Sequence, residues 1–201
     1  MKNCIGLRRE SKDLTERRVP LTPGQVGELI EKHNTHVIVE PSEERIFRDE
    51  EFRAAGARIS TDLSECNIIF GVKEVPLNDL IADKTYCFFS HTFKAQAYNM
   101  PMLKRMLELK DSLFDYELVR DENGKRVLFF GDYAGYAGMI DSLWALGQRL
   151  LWEGIDNPFK NIQQANKYDR FDDAKEAVRE AGRRIAAGEL PDKLNPLVCG
   201  F

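Results

Sequence analysis

The chain has 201 residues, of which 43% are hydrophobic and 31% are charged, as in ordinary soluble proteins with a buried core. Its formal net charge of −4 at pH 7 gives no electrostatic attraction to nucleic acid or to an anionic membrane. The four cysteines, Cys4, Cys66, Cys87 and Cys199, form no C-x-x-C pair, so we expect no disulfide and no zinc site. With no secretory or transit pattern in the first residues, we expect a cytoplasmic protein.

Short apolar segments alternate with helical patterns along the first 130 residues. Six segments are typical of strands: CIGL (4–7), HVIVE (36–40), NIIFGV (67–72), TYCFFS (85–90), SLFDYELV (112–119) and RVLFF (126–130). Three segments have helical spacing: TPGQVGELIEKHN (22–34), DEEFRAAGA (49–57) and MPMLKRMLELKD (100–111). Apolar strands separated by helices predict βαβ units, and hence a three-layer α/β fold with a mostly parallel sheet, Rossmann-like or flavodoxin-like.

Two local signals refine this fold. The first helix should begin at Thr22 as N-cap, with Pro23 at the first helical position and Gln25 completing a capping box. Asn123-Gly124 stands between two strand-like segments, which is typical of a hairpin. We therefore expect a mixed sheet with an antiparallel pair late in the domain.

The character of the sequence changes after Gly131. A long apolar helix is expected over 132–154 and a more polar amphipathic helix over 171–190, followed by the strand-like segment PLVCGF (196–201). We therefore place a first domain at 1–131 and linker helices at 132–201. The final segment reads as the truncated start of a further domain.

Ionisable residues follow the predicted strands. They are Arg8, Arg9 and Glu10 after the first strand, Lys73 and Glu74 after NIIFGV, His91 and Lys94 after TYCFFS, and Asp115 and Glu117 within SLFDYELV. Ligands of open parallel sheets bind beyond the carboxyl ends of the strands, so these residues are candidates for one site. Strand ends also meet solvent and are commonly polar, which would explain any one of them taken alone.

This set of side chains suits acid–base chemistry on an amino or keto acid. An arginine grips a carboxylate through a two-point fork, whereas a desolvated lysine and a histidine can exchange protons near neutral pH. No G-x-S-x-G elbow occurs, and His33 and His36 are expected at the surface rather than on a metal. We expect no metal site.

The segment GDYAGYAG is a weak candidate for a phosphate loop. Its glycines, Gly131, Gly135 and Gly138, have the spacing G-x-x-x-G-x-x-G rather than G-x-G-x-x-G. We therefore interpret them as sites of close helix packing, and we expect no dinucleotide site in this chain.

Five segments stand in an order and at distances that resemble a known family. They are RRESKDLTERRVPLTP (8–23), GVKEVP (71–76), FFSHTFKAQ (88–96), FDYELV (114–119) and GDYAGYAGMID (131–141). Together with the tail 158–201, they resemble the N-terminal part of the alanine dehydrogenase/saccharopine dehydrogenase superfamily. The likeness is greatest to the lysine–2-oxoglutarate reductase part of bifunctional α-aminoadipic semialdehyde synthases, and it covers nearly the whole chain.

The resemblance implies roles for seven residues. Lys73 and His91 match the general acid/base pair, and Arg18 matches an arginine that binds a substrate carboxylate. The remaining matches are Glu16 in the same loop, Lys94 as a substrate contact, and Glu74 and Glu117 as acidic residues that tune the bases. Lys94 and Gln96 would then begin a helix beside the substrate.

The resemblance also implies a reaction. The ε-amine of lysine condenses with 2-oxoglutarate, and the imine is reduced with NADP or NAD as cofactor to give saccharopine. The nucleotide would be bound mainly by a Rossmann domain that follows this chain, and the full-length protein would be a homo-oligomer. By itself the 201-residue chain would then be inactive. An alanine dehydrogenase-type oxidoreductase, or a non-catalytic module that binds an amino or keto acid, is the alternative.

Overall fold

A computed structural model describes residues 3–13, 15–190 and 194. Two compact units divide the chain, Met1–Phe129 and Phe130–Phe201. This division lies near the boundary that we placed at 131. The nucleotide-binding domain that we expect beyond the second unit stays a prediction, and PLVCGF (196–201) lies outside the described residues.

The first unit is built on a six-stranded sheet in which every neighbouring pair is parallel. The strand order is β3-β2-β1-β4-β5-β6. The strands are β1 (Cys4–Leu7), β2 (His36–Val39), β3 (Arg58–Ile59), β4 (Ile68–Phe70), β5 (Thr85–Phe88) and β6 (Ser112–Asp115). The helices of this unit are α1 (Pro23–His33), α2 (Asp49–Ala54) and α3 (Met100–Glu108). This confirms the predicted α/β fold.

The sheet is buried on both faces because successive side chains of a strand point in opposite directions. In β2, Val37 and Val39 pack with Val26 of α1 and Phe52 of α2. Ile38 faces the other way. It packs in the second core, to which α3 contributes two buried methionines. Helices thus cover both sides of the sheet, as the continuous apolar strands predicted.

The first helix begins where its capping residues predicted. The Thr22 hydroxyl accepts from the backbone N–H of Gln25 at 3.3 Å, and the Gln25 side chain accepts from the backbone N–H of Thr22 at 2.8 Å. The helix ends at Asn34, which adopts the left-handed conformation with φ 48°. The capping box therefore fixes where the chain leaves the loop of residues 8–22.

The expected mixed sheet was wrong. Around Asn123 and Gly124 the chain does turn back, but only an isolated antiparallel bridge forms, between Arg120 and Arg126. Segment 126–130 makes no strand, and SLFDYELV is a strand only to Asp115, after which Tyr116–Leu118 form a turn of 3₁₀ helix. A turn signal fixes the local reversal but not whether its arms join the sheet. The two-residue strand β3 was not predicted.

The second unit contains α4 (Gly131–Trp152) and α5 (Phe171–Ala186). Its core includes Ile140, Leu150, Phe159, Ile162, Ala174 and Ala181. Among the described residues, no helix is long and apolar enough to cross a membrane. The cytoplasmic location stays a prediction.

The interpretation of the α4 glycines as close-packing sites was wrong for two of them. A Cβ added at Gly135 or Gly138 would meet no atom within 4 Å in the described structure. Gly147 is the glycine of α4 that packs closely, because an added Cβ would lie 2.8 Å from the carbonyl oxygen of Phe159. The buried Asn157 holds the same contact by donating to the carbonyl of Gly147 at 3.2 Å.

Candidate active site

The candidate site lies at the carboxyl edge of the sheet, where β4 and β5 run side by side. The segments after both strands stay paired, since the N–H of Phe89 donates to the carbonyl of Val72 at 3.1 Å. Lys73 and His91 follow these strands and line one cleft of about 540 Å³. The other lining residues are Lys12, Asp13, Glu74 and Tyr98. The structure therefore brings the two predicted acid/base residues together.

Glu74 is the polar centre of the cleft. The residue is only 5% exposed, and one carboxylate oxygen, Oε1, accepts from His91 Nδ1 at 2.8 Å and from Asn99 Nδ2 at 2.7 Å. The ammonium of Lys12 lies 2.7 Å from the same oxygen. Burial opposes the charge of Glu74, but the hydrogen bonds from Lys12, Asn99 and His91 prevail and lower its pKa to about 2. Glu74 is thus ionised at every physiological pH.

The ionised Glu74 also determines which ring nitrogen of His91 carries a fixed proton and which is available for proton transfer. A carboxylate can only accept, so Nδ1 of His91 carries the proton and donates it to Glu74. The other nitrogen, Nε2, is left to take or give a proton. Holding one tautomer of a histidine through its second nitrogen is how proteins prepare an imidazole for acid–base work.

The backbone of His91 is held in an uncommon conformation. Its φ is 49°, in the left-handed region that few non-glycine residues adopt. The fully buried Ser90 fixes this turn, because its hydroxyl donates to Asp115 and its carbonyl accepts from Asn99 Nδ2 at 2.7 Å. Such strained residues persist only where surrounding contacts impose them, and they are concentrated at functional sites.

Lys73 is placed beside an ion pair. Its Nζ lies 3.9 Å from Oε2 of Glu16, and both oxygens of Glu16 accept from the guanidinium of Arg18, at 2.8 and 2.6 Å. Burial opposes the charge of Glu16, yet the hydrogen bonds from Arg18 keep the pKa of this carboxyl below its usual value. Arg18 itself is about half exposed. Arg18 and Lys73 thus lie on the same carboxylate, that of Glu16, and the binding of a substrate carboxylate by Arg18 stays a prediction.

The two acidic residues expected to tune the bases are placed differently. Glu74 contacts His91, whereas Glu117 pairs with Arg126, whose Nη1 lies 3.7 Å from its Oε1. The guanidinium of Arg126 also lies over the rings of Phe89 and Phe129. Glu117 therefore sits in a neighbouring cluster at the end of β6.

Lys94 is exposed in the turn 91–95, and it is not among the residues that line the cleft. The expectation that Lys94 and Gln96 begin a helix was wrong. A short 3₁₀ helix spans Ala97–Asn99 and α3 begins only at Met100. Ala95 explains the delay, since its φ of 55° is incompatible with a continuing helix.

Sequence reasoning missed Lys12 and Asn99, although both contact the central carboxylate. Lys12 is one of several charged residues that follow β1, and nothing in the sequence indicates that it contacts Glu74 at the end of β4. Asn99 precedes Met100-Pro101 and looks like an ordinary helix cap, but it makes no capping bond. Only the fold reveals that its side chain faces Glu74.

The sequence matches the family model for the alanine dehydrogenase/PNT N-terminal domain over residues 6–137. It is 41% identical to an alpha-aminoadipic semialdehyde synthase of Arabidopsis thaliana, over 98% of this chain and 19% of that protein. It is 38% identical to a saccharopine dehydrogenase [NAD(+), L-lysine-forming] of Neurospora crassa, over 93% of this chain and 50% of that protein. The chain therefore spans about a fifth to a half of the length of these relatives.

The fold is also similar to a solved structure. An L-alanine dehydrogenase superimposes with a TM-score of 0.58 at 22% identity, over 75% of this chain and 42% of that one. At this identity the likeness concerns the fold alone. By its name, the Neurospora relative is a saccharopine dehydrogenase that uses NAD(+) and forms L-lysine.

Proposed function

Since the chain belongs to the alanine dehydrogenase/PNT N-terminal domain family, we propose that it is the substrate-binding and catalytic part of an amino-acid dehydrogenase of lysine metabolism. The proposed reaction is that of a lysine–2-oxoglutarate reductase, which forms saccharopine. The proposal rests on one observation above all, the convergence of Lys73 and His91 on one cleft whose histidine is held by an ionised glutamate.

The charges of the cleft suit substrates that carry both ammonium and carboxylate groups. The cleft is lined by two basic residues, Lys12 and Lys73, and by two acidic residues, Asp13 and Glu74. The guanidinium of Arg18 lies nearby, because Arg18 and Lys73 both contact Glu16. Lysine is a zwitterion and 2-oxoglutarate a dianion, so each presents groups that these side chains can pair. A keto-acid carboxylate would bind Arg18, whose five donors allow it to serve Glu16 and a ligand together.

The proton transfers of this reaction require an acid and a base. The ε-amine of lysine must lose a proton before it attacks the 2-oxo carbon, and the carbonyl oxygen must gain a proton as the carbinolamine forms. A second proton lets that oxygen leave as water when the imine forms. We assign these transfers to Lys73 and to Nε2 of His91, which both line the cleft. Overall, lysine, 2-oxoglutarate, NAD(P)H and a proton give saccharopine, NAD(P)⁺ and water.

The start of α4, where the glycines gave a weak signal for a phosphate loop, does not fit a dinucleotide. At the start of α4, Asp132 occupies the first turn, where its charge would repel a pyrophosphate. The glycine spacing also differs from that of a nucleotide loop. We therefore assign NADP or NAD to another domain of the full-length enzyme.

The test is an assay of NADPH and NADH oxidation by the full-length polypeptide that carries this domain. Oxidation that requires both lysine and 2-oxoglutarate, with saccharopine as the product by mass spectrometry, is the expected result. Oxidation with pyruvate and ammonia instead would make the enzyme an alanine dehydrogenase. If neither pair supports oxidation, the proposed function fails.

A further inference from the structure

Glu10 is a buried carboxylate that the acid–base chemistry does not use. It follows β1, one of the two central strands of the sheet, and its side chain is only 4% exposed. Its two oxygens accept from two consecutive backbone N–H groups, that of Val72 at 2.7 Å and that of Lys73 at 2.9 Å. Glu10 thus holds the backbone next to the Cα that carries the side chain of Lys73. We call these two hydrogen bonds the clamp.

The surroundings of Glu10 are built to hold this clamp. The buried guanidinium of Arg8 lies 3.9 Å from Oε2 of Glu10, and no hydrogen-bond partner of its Nη1 occurs among the described residues. Gly71 gives the room, because a Cβ there would lie 3.1 Å from Cδ of Arg8 and 3.5 Å from Oε1 of Glu10. Arg8 and Gly71 therefore let the carboxylate reach the end of β4.

We propose that Glu10 is a positioning residue for Lys73, acting through the two backbone N–H bonds rather than on substrate. This inference rests on the proposed function, in which Lys73 exchanges protons with the reacting amine. Lysine has a flexible stem, so its ammonium is placed only when both its backbone and its tip are held. Glu16 reaches the ammonium, at 3.9 Å, while Glu10 fixes the main chain. Misplacement of a reacting group by about 1 Å costs on the order of 10²-fold in rate.

A purely structural role is the alternative, and the neighbouring strand β2 offers a control. Glu40 follows β2, and its carboxylate accepts from the backbone N–H of Arg9 at 2.8 Å. It holds the backbone through one N–H, where Glu10 holds it through two, and it does not line the cleft of Lys73. Glu40→Gln should therefore report the cost of losing such a clamp without any effect on proton transfer.

The experiment is a double-mutant cycle in the full-length enzyme. Glu10→Gln keeps the shape of the side chain but presents an amide N–H to one of the two backbone donors. We expect kcat to fall by roughly 10- to 100-fold, with KM for 2-oxoglutarate within about twofold because Arg18 is untouched. In a Lys73→Met background the same change should lower the remaining kcat by less than about twofold, because residues that act as a unit are not additive. Glu10→Asp keeps a carboxylate but shortens the side chain by one methylene, so its kcat should lie between those of the unmodified enzyme and Glu10→Gln.

Two results would overturn the inference. One is an equal loss of kcat from Glu10→Gln with and without Lys73, and the other is an equal loss from Glu40→Gln. If the enzyme shows no saccharopine-forming activity, the proposed function fails, but the hold of Glu10 on the backbone of Lys73 can be tested separately, without any activity. Amide hydrogen exchange in the chain should then show Val72 and Lys73 protected in the unmodified protein and exposed in Glu10→Gln. Unchanged exchange at both amides would refute the clamp.

Discussion

The contribution of the ionised Glu74 carboxylate to the free energy of unfolding can be measured through its dependence on pH. The pKa of Glu74 is lowered from 4.5 to about 2 by hydrogen bonds that outweigh the cost of burial. One pKa unit corresponds to about 1.36 kcal/mol, so the ionised form is favoured in the folded state by about 3 kcal/mol. Because the folded pKa is the lower one, this stability is fully present above about pH 4.5 and is lost as pH falls toward 2.

We therefore expect Glu74→Gln to lower the free energy of unfolding by up to about 3 kcal/mol at pH 7. The difference between variant and unmodified chain should shrink steadily between pH 4.5 and pH 2. Urea titrations at several pH values test this, followed by the near-ultraviolet circular dichroism of tyrosine. Tryptophan fluorescence is unsuitable, since both tryptophans, Trp144 and Trp152, lie in α4 of the second unit.

Glu65→Gln is the matched control for this measurement. Glu65 pairs with Arg58 at 2.5 Å, but both side chains are more than half exposed, so water screens the pair and little stability should be lost. A difference for Glu74→Gln that stays constant from pH 7 to pH 2 would refute the reasoning. Such a result would mean that packing, rather than the charge, makes Glu74 important.

Three further predictions concern catalysis and packing. Lys73→Met in the full-length enzyme should lower kcat by roughly 10²–10⁴, the usual contribution of a positioned acid/base, and activity within a few-fold of normal would exclude the role. Arg18→Lys should raise KM for the keto acid because the planar fork is lost, which steady-state kinetics can check. Gly147→Ala should destabilise the second unit by about 1–3 kcal/mol in tryptophan-monitored unfolding, since its Cβ would meet Phe159, whereas Gly138→Ala should not.

The alternation of apolar strands and helices was readable from the sequence because burial on both faces leaves a continuous hydrophobic signal. The start of α1 was readable for a similar reason, as its capping bonds join residues only three apart. The sequence did not show that segment 126–130 forms no strand, because a segment beside a turn joins a sheet only if it meets partners that are distant along the chain. The helix expected at Lys94 does not form because Ala95 adopts a positive φ, and alanine as a residue type gives no indication of that conformation.

The sequence by itself determined which residues follow the parallel strands, and so it placed Lys73 and His91 at one edge of the sheet. Tertiary structure alone decided which carboxylate serves which base. Glu74 reaches His91, and Glu117 pairs with Arg126 instead. Lys12 and Asn99 return to Glu74 from 62 and 25 positions away in the chain, and Glu10 clamps Lys73 from 63 positions away. Contacts over such separations leave no periodic signal, because they arise only when the folded sheet brings separate loops to the same edge.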